Sequence, residues 1–240
     1  MRALSGACGG SGVTALSLAR TARLDLLRPR AILFDWDNTL IDSWATIHEA
    51  LNAVMTAMDK PSWSLQQTKE RVRLSLRESF PIHFGDRWEE ARRIYLDAFR
   101  AIHLTRLNPL PGRGELLQGL SAAGIFLAVV SNKTGALLRR EADELRWSGL
   151  FGSMVGAGDA AADKPDSAPV TLALAPSGIE AGQRVWLVGD TDVDMACARN
   201  SGCVPVLLGA VAITDEEFAK CAPRFAFSDC QALFRFIQGL

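Results

Sequence analysis

The chain has 240 residues, enough for one large domain or for a domain that carries a substantial insertion. Its hydrophobic content of 48% and charged content of 22% are ordinary for a globular protein, and a net charge of −1 gives no reason to expect nucleic acid or an acidic membrane as a partner. No apolar stretch approaches the length of a transmembrane helix, and five cysteines without a CxxC pair argue against a disulfide framework. We therefore expect a cytoplasmic protein with reduced thiols.

Residues 1–29 differ in composition from the rest of the chain. The stretch 5–12 is rich in Gly and Ser, and Asp25 is the single acid of a segment rich in arginine. Glycines in that stretch would interrupt the apolar part of a secretory signal. We expect a flexible N-terminal extension, and the alternatives are an organellar transit peptide and a start codon assigned too far upstream.

Two carboxylates follow the first predicted strand, the apolar run Ala31–Phe34. Its unbroken hydrophobicity is typical of a strand buried on both faces. Because side chains two residues apart in an extended chain point to the same side, Asp35 and Asp37 are expected in one crevice, at the strand ends where open α/β sheets bind ligands. One carboxylate could act as nucleophile while the other transfers protons, and both could hold a divalent cation. The alternative for Asp37 is a helix N-cap.

The next segment, residues 42–108, has a helical pattern throughout. Asp86, with Glu89 three residues later, has the spacing of a helix N-cap. Three helices are predicted, over residues 44–58, 64–76 and 86–102.

Beyond residue 109, apolar runs alternate with helical patterns, which predicts a parallel sheet covered on both faces. The predicted strands are Phe126–Val130, Ser153–Val155, Val185–Val188, Val204–Leu208 and 224–227. The predicted helices begin at Thr134, at Ala168, after Asp194 and at Asp229. The fold class is therefore α/β: a Rossmann-like parallel sheet sandwiched by helices, formed by residues 30–41 and 109–240, with residues 42–108 inserted as an α-helical cap.

Polar residues follow three of these later apolar runs, as a phosphate-handling site requires. Such a site needs a nucleophile, a proton shuttle, a neutral donor, a cation and metal-binding carboxylates. The residues that supply them are Ser131-Asn132-Lys133, Lys164-Pro165, and Gly189-Asp190 with Asp194.

Together with Asp35-Trp36-Asp37-Asn38-Thr39-Leu40, these stretches resemble the four motifs of the haloacid dehalogenase superfamily, in the same order. The chain is most similar to the phosphoglycolate-phosphatase-like branch, over residues 31 to about 208. The helical insertion resembles the mobile cap of that superfamily, which closes over the crevice and excludes water. Asn38 replaces the glycine usual in the first motif, and Asn tolerates a left-handed backbone better than most residues.

The resemblance implies catalytic roles for four residues, Asp35, Asp37, Ser131 and Lys164, and substrate binding by Ser131, Asn132 and Lys164. Asp35 would attack a phosphoryl group and form an aspartyl-phosphate. Asp37 would protonate the leaving oxygen and then activate water. Ser131, helped by the backbone amide of Asn132, would donate a hydrogen bond to a phosphoryl oxygen, and Lys164 would neutralise the phosphoryl group and position Asp35.

The resemblance also implies Mg²⁺ as cofactor. Mg²⁺ would be bound by Asp35, Asp190 and the backbone carbonyl of Asp37, which suits its preference for oxygen ligands. Asp194 would hold Lys164 or a metal-bound water from outside the ligand set.

The implied function is a Mg²⁺-dependent phosphatase for a small phosphorylated metabolite similar to phosphoglycolate. Arg73 and Arg77, four residues apart in a predicted helix, could face an anionic leaving group, or they could belong to a solvated helix face. A phosphosugar mutase of the β-phosphoglucomutase type and a non-catalytic phosphometabolite-binding protein are the alternatives. We expect a monomer or a homodimer, with no nucleic-acid or membrane partner.

Overall fold

The computed structural model describes residues 28–209, 218 and 221–240. Within them, six parallel strands form one sheet in the order β3-β2-β1-β4-β5-β6. Residues 1–27 of the predicted N-terminal extension lie outside the described residues. The strands are β1 Ala31–Phe34, β2 Phe126–Thr134, β3 Ser153–Ala157, β4 Val185–Gly189, β5 Val204–Leu208 and β6 Phe225–Phe227.

Helices cover both faces of this sheet and form the inserted segment. Among the described residues, none of them is both long and apolar enough to cross a bilayer. The helices are α1 Trp44–Ala57, α2 Leu65–Arg71, α3 Leu76–Phe84, α4 Trp88–Ile102, α5 Arg113–Ala122, α6 Gly135–Glu144, α7 Ala168–Leu174, α8 Asp192–Asn200 and α9 Cys230–Gln238.

Strand β1 is the centre of the sheet, paired with β2 on one side and β4 on the other. Ile32 and Phe34 pack into the apolar layer beneath α5, α6 and α9, whereas Ala31 and Leu33 pack into the layer beneath α7 and α8. This two-sided burial explains why the run has no polar residue. The predicted α/β class, with a parallel sheet sandwiched by helices, is confirmed. The strand order also changes direction at β1, which opens a crevice at the carboxyl ends of the strands.

Helices α1, α3 and α4 pack around an apolar cluster of their own, which contacts the core through Leu137 of α6. The division of the chain at residues 42 and 108 stays a prediction. The predicted helix over residues 64–76 is wrong in its second half, because α2 ends at Arg71 and Val72 is extended. A new helix, α3, then begins at Leu76 and includes Pro81. The non-helical segment 72–75 turns towards the crevice, so tertiary packing has overridden helix propensity there.

Two predicted helix starts also differ from the structure. Asp86 is not an N-cap: it lies in the 3₁₀ turn Gly85–Arg87, and α4 begins at Trp88. The turn follows from the positive φ of Gly85, which redirects the chain before the helix can start. Helix α8 begins at Asp192 rather than after Asp194, because Thr191 caps it.

Strand β3 passes so close to the start of α6 that Gly156 has no room for a side chain. A Cβ atom there would meet the backbone of Gly135 and lie 2.5 Å from the carbonyl oxygen of Lys133. We expect Gly156→Ala to lower the free energy of unfolding by about 1–3 kcal/mol, because backbone atoms cannot move aside cheaply. Gly149→Ala, whose Cβ would meet nothing within 4 Å, is the control and should change it by less than about 0.5 kcal/mol. Urea unfolding measures both, and equal effects would contradict this account of the contact.

Candidate active site

An open crevice with a cavity volume of about 110 Å³ lies between the carboxyl ends of the central strands and the helical insertion. The structure brings every predicted site residue to it. These residues are Asp35, Asp37, Ser131, Asn132, Lys164, Asp190 and Asp194. Their chemical roles are not given by this placement and stay predictions.

Lys164 links two of the carboxylates at the bottom of the crevice. Its Nζ lies 2.6 Å from Asp35 Oδ1 and 2.6 Å from Asp194 Oδ1, and all three side chains are nearly inaccessible to solvent. Burial opposes the charge of Lys164, but the carboxylates of Asp194 and Asp35 outweigh it and raise the pKa of the ammonium group. The lysine therefore stays protonated, and its position is fixed by both acids.

Asn132, near the end of β2, anchors the loop that carries Lys164 through two hydrogen bonds. Its side-chain oxygen accepts a hydrogen bond from the Lys164 backbone N–H at 3.0 Å, and its amide nitrogen donates to the Lys164 carbonyl oxygen at 3.1 Å. The Asn132 side chain is thus occupied by the lysine loop. The predicted substrate contact through its backbone N–H is still compatible with this geometry.

Three carboxylates share the bottom of the crevice with a single lysine. Oxygen atoms of Asp35, Asp190 and Asp194 all lie within 4.8 Å of one another. Burial, more than the neighbouring acid Asp194, raises the pKa of Asp35 to about 6, even though Lys164 lowers it. Burial, followed by the charges of Asp194 and Asp35, raises the pKa of Asp190 well above its usual range. Excess buried negative charge of this kind fits a divalent cation, which prefers carboxylate oxygens.

Both carboxylate oxygens of Asp194 already have hydrogen-bond partners. Its Oδ1 accepts from Lys164, and its Oδ2 accepts from the Thr191 backbone N–H at 3.1 Å and from the Thr191 hydroxyl at 2.7 Å. This capping box fixes Asp194 in the first turn of α8. The arrangement supports the predicted place of Asp194 outside the ligand set, as the partner of Lys164.

Asp190 is oriented by Thr39, a contact that the sequence pattern did not predict. The Thr39 hydroxyl donates to Asp190 Oδ1 at 2.8 Å, and the Thr39 carbonyl oxygen accepts from the buried Arg113 Nε at 2.7 Å. Asn38, beside it, has a φ of 64°. The predicted left-handed backbone at Asn38 is thereby confirmed, and it turns Thr39 towards the fourth motif.

Asp37 is held by a second lysine and not by Lys164. Lys133 Nζ lies 2.6 Å from Asp37 Oδ1, and the Ser43 hydroxyl donates to the same oxygen. Burial opposes the charge of Lys133, but Asp37 and Glu141 raise the pKa of the ammonium group. Lys133 is missing from the predicted site residues. Its place two residues after Ser131 was a usable signal, because alternate residues of a strand share a face.

The helical insertion supplies a largely apolar wall opposite these charges, formed by Val72, Leu74, Tyr95 and Phe99. Arg73 lines the crevice there, from the non-helical segment between α2 and α3. The predicted pairing of Arg73 with Arg77 on one helix face is wrong, since the helix is broken between them.

Arg77 contacts the core instead. Its Nη2 lies 2.8 Å from Asp163 Oδ1, in the loop that leads to Lys164. The salt bridge therefore connects α3 of the insertion with the lysine loop, next to the crevice.

The geometry has a close counterpart among known proteins. The model of the haloacid dehalogenase-like hydrolases matches this chain over residues 32–207. The chain belongs to this family. The resemblance carried by the four motifs is confirmed, and membership identifies the chain as a hydrolase.

Relatives of the chain carry the name phosphoglycolate phosphatase. The protein of Aquifex aeolicus is 31% identical over 177 residues, which cover 72% of this chain and 81% of the relative. The protein of Rhodospirillum rubrum is 30% identical over 217 residues, which cover 85% of this chain and 89% of the relative.

Solved structures share the fold at lower identity. A haloacid dehalogenase-like family protein of Streptococcus pneumoniae superposes with a TM-score of 0.77 at 22% identity, covering 88% of this chain and 99% of its own. CbbY of Rhodobacter sphaeroides, solved in complex with phosphate, has a TM-score of 0.73 at 19% identity and covers 85% and 96%. These similarities confirm the fold over the insertion as well as the core.

The raised pKa of Asp35 predicts that protons and a divalent cation compete for the crevice. With a pKa of about 6, Asp35 gains a proton as the pH falls through that value, and a protonated carboxyl group is a poor metal ligand. We expect Mg²⁺, used as the probe, to bind about 10-fold more weakly at about pH 5 than at about pH 7.5 in calorimetric titrations. Asp190→Asn should bind weakly at both pH values. If the native protein bound Mg²⁺ with equal affinity at the two pH values, the prediction would be contradicted.

Proposed function

We propose that the protein is a Mg²⁺-dependent phosphatase that hydrolyses a small phosphomonoester, similar to phosphoglycolate, through an aspartyl-phosphate intermediate. One observation supports it above the others: Asp35 is fixed by Lys164, while Asp37 is fixed separately by Lys133. A nucleophile and a proton-transferring group act on different atoms of the substrate, and separate partners fix each carboxyl group in its own position although the two residues are only two apart in the chain. The relatives named phosphoglycolate phosphatase support the substrate class.

In the first step, a carboxylate oxygen of Asp35 forms a bond to phosphorus, and the bond from phosphorus to the ester oxygen breaks. Asp37 gives its proton to that oxygen, so the alcohol leaves neutral. Lys164 balances the charge of the phosphoryl oxygens, and the Ser131 hydroxyl donates a hydrogen bond to one of them. The Ser131 hydroxyl oxygen already accepts from the Lys133 backbone N–H at 3.3 Å, which leaves its hydrogen free to donate.

In the second step, Asp37 takes a proton from a water molecule that attacks the phosphorus of the aspartyl-phosphate. The bond from phosphorus to the Asp35 oxygen breaks, inorganic phosphate leaves, and both carboxyl groups return to their starting states. Water must be kept out until the alcohol has left, and the apolar wall of the helical insertion serves this purpose.

Asp35, Asp190 and the backbone carbonyl of Asp37 would hold the Mg²⁺ ion, with Asp194 outside the ligand set. When bound, the ion neutralises negative charge on the phosphoryl group and on the crowded carboxylates. Arg73 on the insertion side of the crevice suits a leaving group that carries an anion, as glycolate does.

A panel of phosphomonoesters tests the proposal. We expect release of inorganic phosphate from 2-phosphoglycolate, glucose 1-phosphate or adenosine monophosphate to require Mg²⁺ and to stop with EDTA, with one compound class clearly preferred. Absence of turnover by folded protein would overturn the phosphatase proposal. A strict need for a sugar bisphosphate activator would favour the mutase.

Substitution of the two acids tests the assigned steps. We expect Asp35→Asn to abolish turnover, because an amide cannot form the acyl-phosphate, and Asp37→Asn to lower kcat by about 10²–10⁴-fold. Asp97→Asn is the matched control, since Asp97 is exposed and forms salt bridges only on the surface of α4. It should leave turnover unchanged. Persistent phosphate release by Asp35→Asn would show that another group attacks phosphorus.

A further inference from the structure

A buried carboxylate beneath the crevice has no part in the steps above. Glu141 lies on the inner face of α6 among Leu137, Leu138 and Ala142, and only 2% of it is exposed. A charge in such a position is costly unless it is fully paired. The contacts of Glu141 therefore indicate its role.

Glu141 is paired through both oxygens. Its Oε2 accepts from Trp36 Nε1 at 2.7 Å and lies 3.1 Å from Lys133 Nζ. Its Oε1 lies 2.8 Å from Nδ1 of the buried His103. Trp36 stands between Asp35 and Asp37 in the chain, and Lys133 is the lysine that contacts Asp37. Two of these contacts thus connect Glu141 to Asp37, one through its chain neighbour Trp36 and one through Lys133.

The helical insertion completes the surroundings of Lys133. Phe99 of α4 places its ring centroid 4.5 Å from Lys133 Nζ, a cation–π distance. His103 immediately follows the last residue of α4. Core and insertion together hold the ammonium group between Glu141, Asp37 and an aromatic ring.

Stability alone is a poor explanation for this arrangement. Replacing a buried ion pair by apolar groups of similar volume is often neutral or stabilising. A lysine side chain also loses considerable rotamer entropy when it is held in one position. A misplacement of a catalytic group by about 1 Å can lower the rate about 100-fold. A role in fixing the Asp37 carboxyl group would therefore explain why this buried ion pair is present.

We propose that Lys133 and Glu141 are positioning residues for Asp37. Glu141 fixes the Lys133 ammonium group, and Lys133 fixes the carboxyl group that serves the leaving oxygen. The inference rests on the proposed function, because it takes Asp37 as the proton donor in the first step.

The dependence of rate on leaving group tests the proposal. The alkoxide of an alkyl phosphate needs a proton to leave, whereas p-nitrophenolate leaves readily without one. We expect Glu141→Gln to lower kcat/KM for an alkyl phosphate substrate by about 10-fold or more, and for p-nitrophenyl phosphate by less than about 3-fold. Glu144→Gln, on the exposed face of the same helix, is the control and should change neither.

The Asp37→Asn variant separates failure of the inference from failure of the proposed function. The comparison uses kcat/KM, which reports the first step only. If Asp37→Asn lowers kcat/KM for both substrates equally, Asp37 is not the proton donor and the proposed function itself fails at this step. If Asp37→Asn is selective for the alkyl phosphate but Glu141→Gln slows both substrates equally or neither, only the positioning proposal is overturned.

A double-mutant cycle excludes a general effect on folding. With Asp37 already replaced by Asn, Glu141→Gln should cause no further loss of kcat/KM for the alkyl phosphate, whereas a merely structural role would lower it again. If Glu141→Gln does not fold, the charge-balanced pair Lys133→Met with Glu141→Gln replaces it in the same assays. The pair should show the same selectivity, and native-like rates with the alkyl phosphate would overturn the proposal.

Discussion

The buried ammonium group of Lys164 is the contact on which the crevice depends. It joins Asp35, 129 residues earlier in the chain, to Asp194, 30 residues later, at 2.6 Å each. Without this cation, three carboxylates could not be buried within 4.8 Å of one another at any reasonable cost. Two further contacts fix the position of this ammonium group. Asn132 forms a hydrogen bond with the backbone of Lys164, and Thr191 holds Asp194 in the first turn of α8. All four motifs are thereby held in register.

A second lysine repeats this arrangement around Asp37, at the other side of the crevice. Lys133 bridges Asp37 and Glu141 as Lys164 bridges Asp35 and Asp194. Each aspartate of the first motif therefore has its own cation, and each cation has a further buried acid behind it. The ammonium group near Asp37 also contacts the helical insertion, so the insertion helps to position the side chains of the site.

Local patterns in the sequence predicted the sheet and the motif residues well. The run Ala31–Phe34 is apolar because both faces of β1 are buried. The sequence alone was therefore enough to predict this strand and the polar residues that follow it. The break between α2 and α3 could not be predicted, since packing against the crevice decides it. The contact of Thr39 with Asp190 joins residues 151 positions apart and leaves no local signal. Glu141 did leave one: a lone acid within an apolar helical stripe needs a buried partner.

The stereochemical course at phosphorus tests the central claim, that Asp35 attacks the substrate and water attacks only afterwards. The phosphoryl group of a phosphomonoester made chiral with three oxygen isotopes would be transferred to an acceptor alcohol, and the configuration of the product phosphomonoester would be determined. Two successive in-line displacements predict net retention of configuration. Net inversion would mean that the acceptor attacks the substrate directly, and it would contradict the role of Asp35 as nucleophile.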